Sequence, residues 1–418
     1  MNQDSSEHPV LPRRIAFISV HTCPLETPGK GKAGGMNVYL RQVGAELAAC
    51  GVAVDIFTRS HYAGGELIQE LVPGVRVIHL SAGSPELVRQ EALPFLDEFA
   101  SELAAFAADE GLTYDLVHAH YWLSMPVGQA IAAEWGVPHA ITYHTVAAVK
   151  EAAGGDPEPS ERAGLEREAA HQADGVVVLT GSEAADLSTL YDLPPDRFHI
   201  APGGVDPRRF APADRDGARR FLGLPVEGRV VLFVGRPEPF KGPEVLVRAL
   251  ALLPPAVHLL AMGGSDAEQS GEWFARIGAA AGVSERVVWR PAVPQEQLPV
   301  HYAAADLLAM PSRHETFGLA ALEAMACARP VVAAAVGGLR SLVTSGLTGR
   351  LVDGHEPGPY AEAIGALLDD EALAARMGAQ GRLRARRYSW RAAASHLLTG
   401  YAAIAEHHAG RGAREPRP

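Results

Sequence analysis

Short apolar segments alternate with amphipathic segments along the first half of the chain. The segment RIAFISV is followed by a glycine-rich loop, by the amphipathic segment NVYLRQVGAELAACG and by a second apolar run, VAVDIFT. Later apolar runs are VRVIHL, DLVHAH, HAITYH and GVVVLT, separated by helical patterns such as LPFLDEFASELAAFAADEG. Regular alternation of strands and helices is typical of a parallel sheet covered by helices on both faces. The pattern therefore predicts an α/β fold.

The same alternation repeats in the second half. After the turn-rich segment IAPGGVDPRRFAPADRD come the apolar runs RVVLFVG, VHLLAMGG, RVVWR, DLLAMPS, PVVAAAV and GRLVD, each followed by a helical pattern. At 418 residues the chain also exceeds the usual size of one hydrophobic core. We therefore predict two doubly wound, Rossmann-like domains that face a central cleft. The predicted bounds are a disordered start at 1–13, an N-terminal domain at 14–205, a C-terminal domain at 206–389, a helix that crosses back to the N-terminal domain at 390–408, and a disordered tail at 409–418.

Composition and charge exclude several classes of protein. Apolar residues make up 47% and charged residues 21%, which is ordinary for a soluble globular protein. The net charge of -12 opposes general binding of nucleic acid, which depends on cationic contacts to phosphates. No apolar stretch reaches the roughly 20 residues of a membrane helix, and Met1–Pro12 lacks the pattern of a signal peptide. We expect a cytoplasmic protein with no membrane span, and the basic run Arg382–Arg387 is interpreted as a solvated helix face.

Two glutamates mark a candidate anion site in the second half. A short apolar strand that ends at Met310 leads through the loop Arg313–Gly318 into a helix that resumes at Leu319. The unpaired N–H groups and the positive dipole end at a helix start suit a diphosphate. Glu315 before the helix and Glu323 within it have a spacing that suits a nucleotide sugar. Taken alone, such a pair is more often a chance acid and a solvated helix residue.

Other strand ends carry fixed charges and glycines. The loop VGRPEPFKG contains Arg236 and Lys241, which could neutralise a departing diphosphate. These two residues, Glu315 and Glu323 all follow strands of one predicted domain, where ligands bind in doubly wound sheets, and this disfavours the alternative of unrelated surface charges. In the first half, the loop HTCPLETPGKGKAGGMNVY is rich in glycine and is either a tight turn or a loop that approaches a ligand.

Histidines occur at two further strand ends. His118 and His120 alternate in HAHY, but no third ligand with suitable spacing follows, so we predict no metal site. His144 and Thr145 follow the next apolar run. A neutral histidine there either donates to a sugar hydroxyl or is a core histidine whose hydrogen bonds are satisfied. Arg162 lies near a predicted helix start in an acidic, turn-rich segment, for which a solvent-facing role is the default.

In combination these loops resemble the retaining glycosyltransferases of family 4, which have the two-domain GT-B fold. The likeness extends from about residue 14 to about residue 409. It is greatest to members that act in mycothiol biosynthesis and transfer N-acetylglucosamine from UDP-GlcNAc to 1D-myo-inositol 3-phosphate. The matching segments are GGMNVY (34–39), HAHYWLS (118–124), HTVAAVK (144–150), VGRPEPFKGP (234–243), PSRHETFGLAALEA (311–324) and LVDG (351–354).

The resemblance implies a role for each matched residue. Arg236 and Lys241 would bind the donor diphosphate, Glu323 the ribose hydroxyls and Glu315 the transferred sugar. His144 would hydrogen-bond the sugar near the reacting carbon, while the departing diphosphate accepts the acceptor's proton in a front-face, retaining attack. The nucleotide sugar is then a co-substrate, and no cofactor or nucleophilic side chain is required. The other implied contacts are Thr27, Pro28, Gly35 and the backbone at Val293 for the donor, and His21, Asn37, Tyr121, Thr145 and Arg162 for the acceptor.

Two positions depart from the family's acceptor pattern. Lys32 stands where the inositol-phosphate enzymes carry an aspartate beside the GGMN glycines. Gln90 stands where a lysine would help to hold the acceptor phosphate, although the neighbouring Arg89 could serve if the alignment slips by one. Losing one phosphate cation costs about 1.5 to 3 kcal/mol. Either Lys32 restores the missing charge, or the acceptor carries no phosphate, as an aminocyclitol or a small thiol would.

The sequence as a whole predicts a retaining, nucleotide-sugar-dependent transferase with a small polar acceptor. The best single pair of substrates is UDP-GlcNAc and 1D-myo-inositol 3-phosphate. One alternative is a family-4 enzyme of natural-product biosynthesis with an unphosphorylated acceptor and another nucleotide sugar. A second is an epimerase or a nucleotide-sugar binder on the same fold. No nucleic-acid partner is expected, and a homodimer is left open.

Overall fold

A computed structural model of the chain describes residues 11–29, 33–60, 66–87, 89–155, 157–264 and 267–412. The first half forms one sheet, whose strands are β1 (Arg14–Ser19), β2 (Ala53–Arg59), β3 (Ile68–Val72), β4 (Val75–Leu80), β5 (Leu116–His120), β6 (His139–Thr142), β7 (Gly175–Val178) and β8 (Phe198–Ile200). This eight-stranded sheet has the order β3-β4-β2-β1-β5-β6-β7-β8. Neighbouring strands are parallel except for the edge pair of β3 and β4.

The second half forms a separate parallel sheet, with strands β9 (Arg229–Val234), β10 (Val257–Met262), β11 (Val287–Arg290), β12 (Leu307–Met310), β13 (Val331–Ala334) and β14 (Gly349–Val352). This six-stranded sheet has the order β11-β10-β9-β12-β13-β14. In both sheets the order reverses direction beside the first strand, which is the doubly wound arrangement. The predicted fold class, two Rossmann-like α/β domains, is confirmed.

Helices cover both faces of each sheet. Those of the first half are α1 (Gly35–Ala49), α2 (Leu96–Asp109), α3 (Met125–Trp135), α4 (Ala147–Ala152), α5 (Ser160–Gln172) and α6 (Gly181–Tyr191). Those that follow are α7 (Arg215–Leu222), α8 (Pro243–Leu250), α9 (Glu272–Ala280), α10 (Leu298–Ala304), α11 (Leu319–Ala326), α12 (Gly337–Leu342), α13 (Pro357–Asp369), α14 (Glu371–Ala385) and α15 (Trp390–Gly412). Among the described residues, no helix has both the length and the apolar character needed to cross a bilayer.

Strand β1 shows why its sequence forms a central strand. Ile15 and Phe17 point to one face of the sheet and join one hydrophobic cluster, whereas Ala16 and Ile18 point to the other face and join a second cluster. All four are fully buried. A strand with helices on both faces needs an unbroken apolar run, since successive side chains alternate between the faces. RIAFIS meets that requirement.

The chain passes between the two domains twice, once near Val205 and once near Ser389, and these two segments are adjacent. The amide of Val205 donates to the carbonyl of Tyr388 at 2.8 Å, and Val205 forms a parallel bridge with Ser389. Gly204 allows this approach, because a Cβ at that position would lie 2.5 Å from the backbone nitrogen of Trp390. Both crossings therefore lie side by side at one edge of the cleft.

Helix α15 packs on the N-terminal domain, against α1, β7 and β8. It continues to Gly412, so the predicted end at residue 408 is wrong by four residues. Arg411 explains the extension, because its guanidinium donates to the carbonyl of Gln172 at 3.1 Å and so anchors the last turn. Most of the predicted disordered start and the residues after 412 lie outside the described ranges.

Candidate active site

One cavity of about 840 Å³ lies between the carboxyl ends of the two sheets. Its wall contains residues from both domains, as expected for a ligand site of this fold class. Thr27 is not among the lining residues, and Lys32 lies outside the described residues. The predicted site residues that do line the cavity are His21, Pro28, Gly35, Asn37, Gln90, Tyr121, His144, Thr145, Arg162, Arg236, Lys241, Val293, Glu315 and Glu323.

An ion pair organises the C-terminal side of the cleft. Lys241 Nζ donates to Glu315 Oε1 at 2.6 Å, and Ser312 Oγ donates to the same oxygen at 2.9 Å. Arg236 forms a second pair with Glu238 at 3.0 Å. Both cations are partly exposed, so each can exchange its carboxylate for another anion that enters the cleft. The arrangement suits a diphosphate group.

The loop that carries Glu315 is held closely by α12. The amide of Gly338 donates to the carbonyl of Glu315 at 2.7 Å, and a Cβ at Gly338 would lie 2.4 Å from the carbonyl oxygen of Thr316. On its other side the loop reaches the N-terminal domain, because Thr316 Oγ1 donates to the carbonyl of His144 at 2.7 Å. The loop therefore links the two walls of the cleft.

Glu323 lies in α11 and is buried at the cleft wall. Its carboxylate accepts a hydrogen bond from Tyr302 Oη at 2.7 Å and another from Gln295 Nε2 at 3.0 Å. Burial raises the pKa of Glu323 to about 7, although the two hydrogen bonds act in the opposite direction. The buried Gln295 Oε1 has no hydrogen-bond partner among the described residues. Sequence analysis did not find Tyr302 of α10 or Gln295 in the turn before it, because only the tertiary fold brings them to Glu323.

His144 adopts an unusual backbone conformation at the N-terminal wall. Its φ of 58° lies in the left-handed region, which non-glycine residues rarely occupy. His144 Nε2 is hydrogen-bonded to His120 Nδ1 at 3.1 Å, and burial lowers the pKa of His144 to about 3. The ring is therefore neutral at physiological pH. Neighbouring His118 is hydrogen-bonded to Tyr401 Oη and Thr142 Oγ1 and does not line the cleft.

Arg162 is the centre of a hydrogen-bonded cluster on the N-terminal side of the cleft, and the default expectation that it faces solvent is wrong. Only 1% of its side chain is exposed. Nε donates to Glu166 at 2.6 Å, and one terminal nitrogen donates to Glu158 at 2.6 Å and to Tyr121 Oη at 3.2 Å. The other terminal nitrogen donates to the carbonyl and the hydroxyl of Thr145 at 2.7 Å and 3.0 Å. All five N–H groups of the guanidinium are thus engaged.

A second cation on the N-terminal side of the cleft is also paired. Lys150 contacts the same Glu158 carboxylate that binds Arg162. Lys150 and Glu158 line the cavity, but sequence analysis assigned a role to neither of them. Glu158 lies in the acidic, turn-rich segment that looked solvent-facing, whereas Lys150 ends the matched segment HTVAAVK. Together with Glu166, these side chains form a cluster with two positive and two negative charges. This cluster therefore contributes no net charge to the N-terminal side of the cleft.

Two other predicted acceptor residues differ in how much of their polar surface is available. Asn37 is buried, its Nδ2 donates to Thr22 Oγ1 at 3.0 Å and to the carbonyl of Cys23 at 2.6 Å, and its Oδ1 accepts from the amide of Gly34 at 2.9 Å. It holds the first loop onto α1. Gln90 is exposed at the cavity wall. Within the described ranges, no group of three or more histidine, cysteine or acidic side chains is placed to hold a metal ion.

Two Rossmann-like domains with a charged cleft between them are the architecture of GT-B glycosyltransferases. The model of one protein family, "Glycosyl transferase 4-like domain", matches residues 34–204, and that of another, "Glycosyl transferases group 1", matches residues 214–384. The D-inositol 3-phosphate glycosyltransferase of Xylanimonas cellulosilytica is 42% identical over 408 residues, which cover 93% of this chain and 96% of that protein. The chain belongs to the family-4 glycosyltransferases, as its motifs predicted.

Solved structures agree with this assignment. A sucrose-phosphate synthase from Thermosynechococcus elongatus is 35% identical and superposes with a TM-score of 0.86, over 92% of this chain and 97% of that one. The Anabaena protein HepE, solved in complex with UDP-glucose, has a TM-score of 0.72 at 20% identity, over 96% of this chain and 100% of that one. At that identity the second likeness concerns the fold alone. The predicted GT-B architecture is confirmed.

Proposed function

We propose that this glycosyltransferase moves a sugar, with retention of anomeric configuration, from a nucleotide sugar to a small polar acceptor in the cleft. One observation carries the proposal. A single cavity has Arg236, Lys241 and the buried carboxyl group of Glu323 on its C-terminal side, and His144 with the Arg162 cluster opposite. The first group has the charges that a diphosphate and a ribose require. The second group has hydrogen-bonding side chains for a hydroxylated acceptor.

The proposed reaction needs no nucleophilic side chain. The bond from the sugar's anomeric carbon to the diphosphate oxygen breaks, while a bond from that carbon to the acceptor oxygen forms on the same face. The departing diphosphate takes the proton of the acceptor hydroxyl. Lys241 and Arg236 stabilise the negative charge on the leaving group, since both are fixed cations at the cleft wall. Glu315, released from Lys241, accepts hydrogen bonds from the transferred sugar.

The proposed substrates are UDP-GlcNAc and 1D-myo-inositol 3-phosphate. Support comes from the name of the relative from Xylanimonas cellulosilytica, which matches nearly the full length of this chain. Further support comes from Arg162, Tyr121 and Thr145, which occupy one wall of the cavity in direct contact with each other. For a phosphate to bind Arg162, it must displace one of the present partners, because every N–H of the guanidinium is already engaged.

Because all N–H groups of Arg162 already have partners, a second candidate is favoured, namely transfer to an acceptor without a phosphate. Lys150 and Arg162 already share the carboxylate of Glu158, and Gln90 provides no charge at the position where a lysine is expected. A neutral polyol, an aminocyclitol or a small thiol would leave this cluster intact. The two candidates share the donor half of the site and differ only in the acceptor.

The experiment incubates the purified protein with UDP-GlcNAc and follows UDP release together with product mass. Parallel reactions contain 1D-myo-inositol 3-phosphate, myo-inositol or no acceptor. Release that depends on the phosphorylated acceptor, with a product of matching mass, supports the first candidate. Release with myo-inositol at equal or greater efficiency supports the second.

Two variants make the assay specific for the cleft. Lys241→Ala should lower turnover sharply, whereas Arg248→Ala removes an exposed cation of α8 outside the cavity and should not affect it. UDP release or epimerisation that proceeds equally well without any acceptor would contradict transfer and favour an epimerase or hydrolase.

A further inference from the structure

Two histidines meet at the N-terminal wall of the cleft. His120 ends β5 and His144 follows β6, and His120 Nδ1 lies 3.1 Å from His144 Nε2. His120 is fully buried, with the ring of Phe17 edge-on at 4.9 Å and the ring of His118 at 4.0 Å between ring centres. His144 is half-buried and lines the cavity. The pair therefore connects the core of the N-terminal domain to the substrate cleft.

The two imidazole rings of this pair are both neutral, so they carry two protons in total. Burial lowers the pKa of His144 to about 3 and that of His120 well below its ordinary value, so each ring carries one proton at neutral pH. A hydrogen bond between two neutral imidazoles needs an N–H on one and a bare nitrogen on the other. In one arrangement His120 Nδ1 donates and His144 carries its proton on Nδ1. In the other, His144 Nε2 donates and His120 carries its proton on Nε2.

His120 Nε2 distinguishes these two arrangements. The atom is buried and has no hydrogen-bond partner among the described residues. In the second arrangement it would be an N–H group without an acceptor, and buried N–H groups of that kind are rare in proteins. The first arrangement leaves only a bare nitrogen there. It also places an N–H on His144 Nδ1, the nitrogen of this ring that the hydrogen bond to His120 does not use.

Neighbouring residues hold the rings of His120 and His144 in their hydrogen-bonded arrangement. His118, whose ring is tilted by 37° against that of His120, is fixed at both ring nitrogens by Tyr401 Oη at 2.7 Å and by Thr142 Oγ1 at 2.9 Å. The carbonyl of His144 accepts the hydrogen bond from Thr316 Oγ1 of the opposite domain. Neither ring can turn without breaking packing or hydrogen bonds that the rest of the fold maintains.

We propose that His120 is a positioning residue that fixes His144 as the tautomer protonated at Nδ1, so that His144 presents an N–H donor to a substrate oxygen. The use of that donor rests on the proposed function, whereas the tautomer does not. A neutral donor can hold a sugar hydroxyl without adding positive charge near the anomeric carbon, where positive charge develops as the leaving group departs. His120 acts only through His144, since it does not line the cavity itself.

The tautomer can be measured directly on the full chain without any substrate. Protein labelled with ¹⁵N-histidine is examined by long-range ¹H–¹⁵N correlation spectra at neutral pH, in which the protonated and bare nitrogens of a neutral imidazole differ widely in shift. Spectra of His144→Gln and of His120→Asn assign the two rings among the 17 histidines. A proton on His144 Nδ1 is the expected result. A proton on His144 Nε2 would overturn the proposal.

A variant series then separates positioning from mere packing. His120→Asn keeps an N–H donor near the position of Nδ1, whereas His120→Asp offers only acceptors when ionised, and His120→Leu offers neither. We expect His120→Asn to keep kcat within a few-fold. The Asp and Leu variants should lose on the order of 10-fold or more in kcat while the Kd for UDP stays unchanged. Wild-type kcat in both of these variants would contradict the proposal.

His139→Asn is the matched control. His139 is a buried histidine of the neighbouring strand β6, bonds to Gln129 at 3.1 Å and does not line the cavity. It should leave kcat unchanged, so a similar loss in this control would assign the effect to fold disruption and contradict a specific role for His120. If no acceptor is ever found, the spectra still decide the tautomer.

Discussion

Replacing Glu323 by glutamine is expected to stabilise the protein at alkaline pH while weakening nucleotide binding. Burial raises the pKa of Glu323 from an ordinary value of 4.5 to about 7. Between these values the folded state holds a proton that the unfolded state releases. The stability from the protonated carboxyl is therefore fully present below about pH 4.5 and is lost as the pH rises through 7.

The magnitude follows from the two pKa values. The interval from 4.5 to about 7, at about 1.4 kcal/mol per pH unit, corresponds to about 3 kcal/mol of lost folding free energy. Glutamine cannot ionise, and its side-chain oxygen still accepts from Tyr302. Rotation of the Gln295 amide provides an acceptor for the new amide group, because Gln295 Oε1 has no other partner among the described residues. The variant should thus gain about 3 kcal/mol relative to wild type between pH 4.5 and pH 8.

The assay is denaturant unfolding of both proteins across this pH range, with the Kd for UDP measured at pH 8. In the proposed ribose role, loss of the carboxylate weakens UDP binding roughly 10-fold or more. Glu183→Gln is the matched control, because burial raises the pKa of Glu183 to about 8 and the residue lies outside the main cavity. It should shift stability in the same direction and leave the Kd unchanged. Identical pH dependence in wild type and Glu323→Gln would refute the reasoning about burial, and an unchanged Kd would remove Glu323 from the ribose role.

Three further predictions concern the cleft. Lys241→Ala should lower kcat by roughly 100-fold or more, because it removes a fixed cation from the leaving group, and near-normal turnover would exclude that role. Glu158→Gln removes the negative charge that Arg162 and Lys150 share, so it should lower the KM for inositol 3-phosphate but not for myo-inositol; a higher KM for the phosphate would mean that Glu158 supports that site. Gly338→Ala brings a Cβ to 2.4 Å from the carbonyl oxygen of Thr316, so kcat should fall through displacement of the donor loop, and kcat at the wild-type level would show that the loop tolerates the shift.

Hydrophobic periodicity was sufficient to predict the central strands of the two sheets but not the strands at the sheet edges. Strands such as β1 and β9 have unbroken apolar runs, because both faces of the sheet are covered. Strand β3 was missed, since its sequence IQELV is partly exposed and it pairs antiparallel at the sheet edge. Strand β8 was also missed, because its three residues are too few to show a period. The end of α15 was misjudged because Gly410 and Gly412 resemble stop signals, whereas the contact of Arg411 with Gln172 prolongs the helix.

The motif loops indicated most of the cleft wall, but not how the side chains are paired. His120 and His144 meet because β5 and β6 are neighbours in register, with His120 opposite Thr142, and no local pattern reveals that pairing. Arg162 was expected to face solvent from the composition of its segment. The fold instead turns the start of α5 toward the cleft, where Glu158 and Glu166 compensate its charge. Such compensation depends on tertiary packing and is not local in sequence.

The return of α15 to the N-terminal domain affects how this domain folds during translation. Strand β8 ends at Ile200, but the helix that covers it begins only at Trp390. At about 5 to 20 residues per second, translation of the intervening segment takes roughly 10 to 40 s. During that interval His118 lacks Tyr401, and the surface that later receives Ile404 is open to water. The domain that is synthesised first is therefore completed last, and its final packing waits for the end of translation.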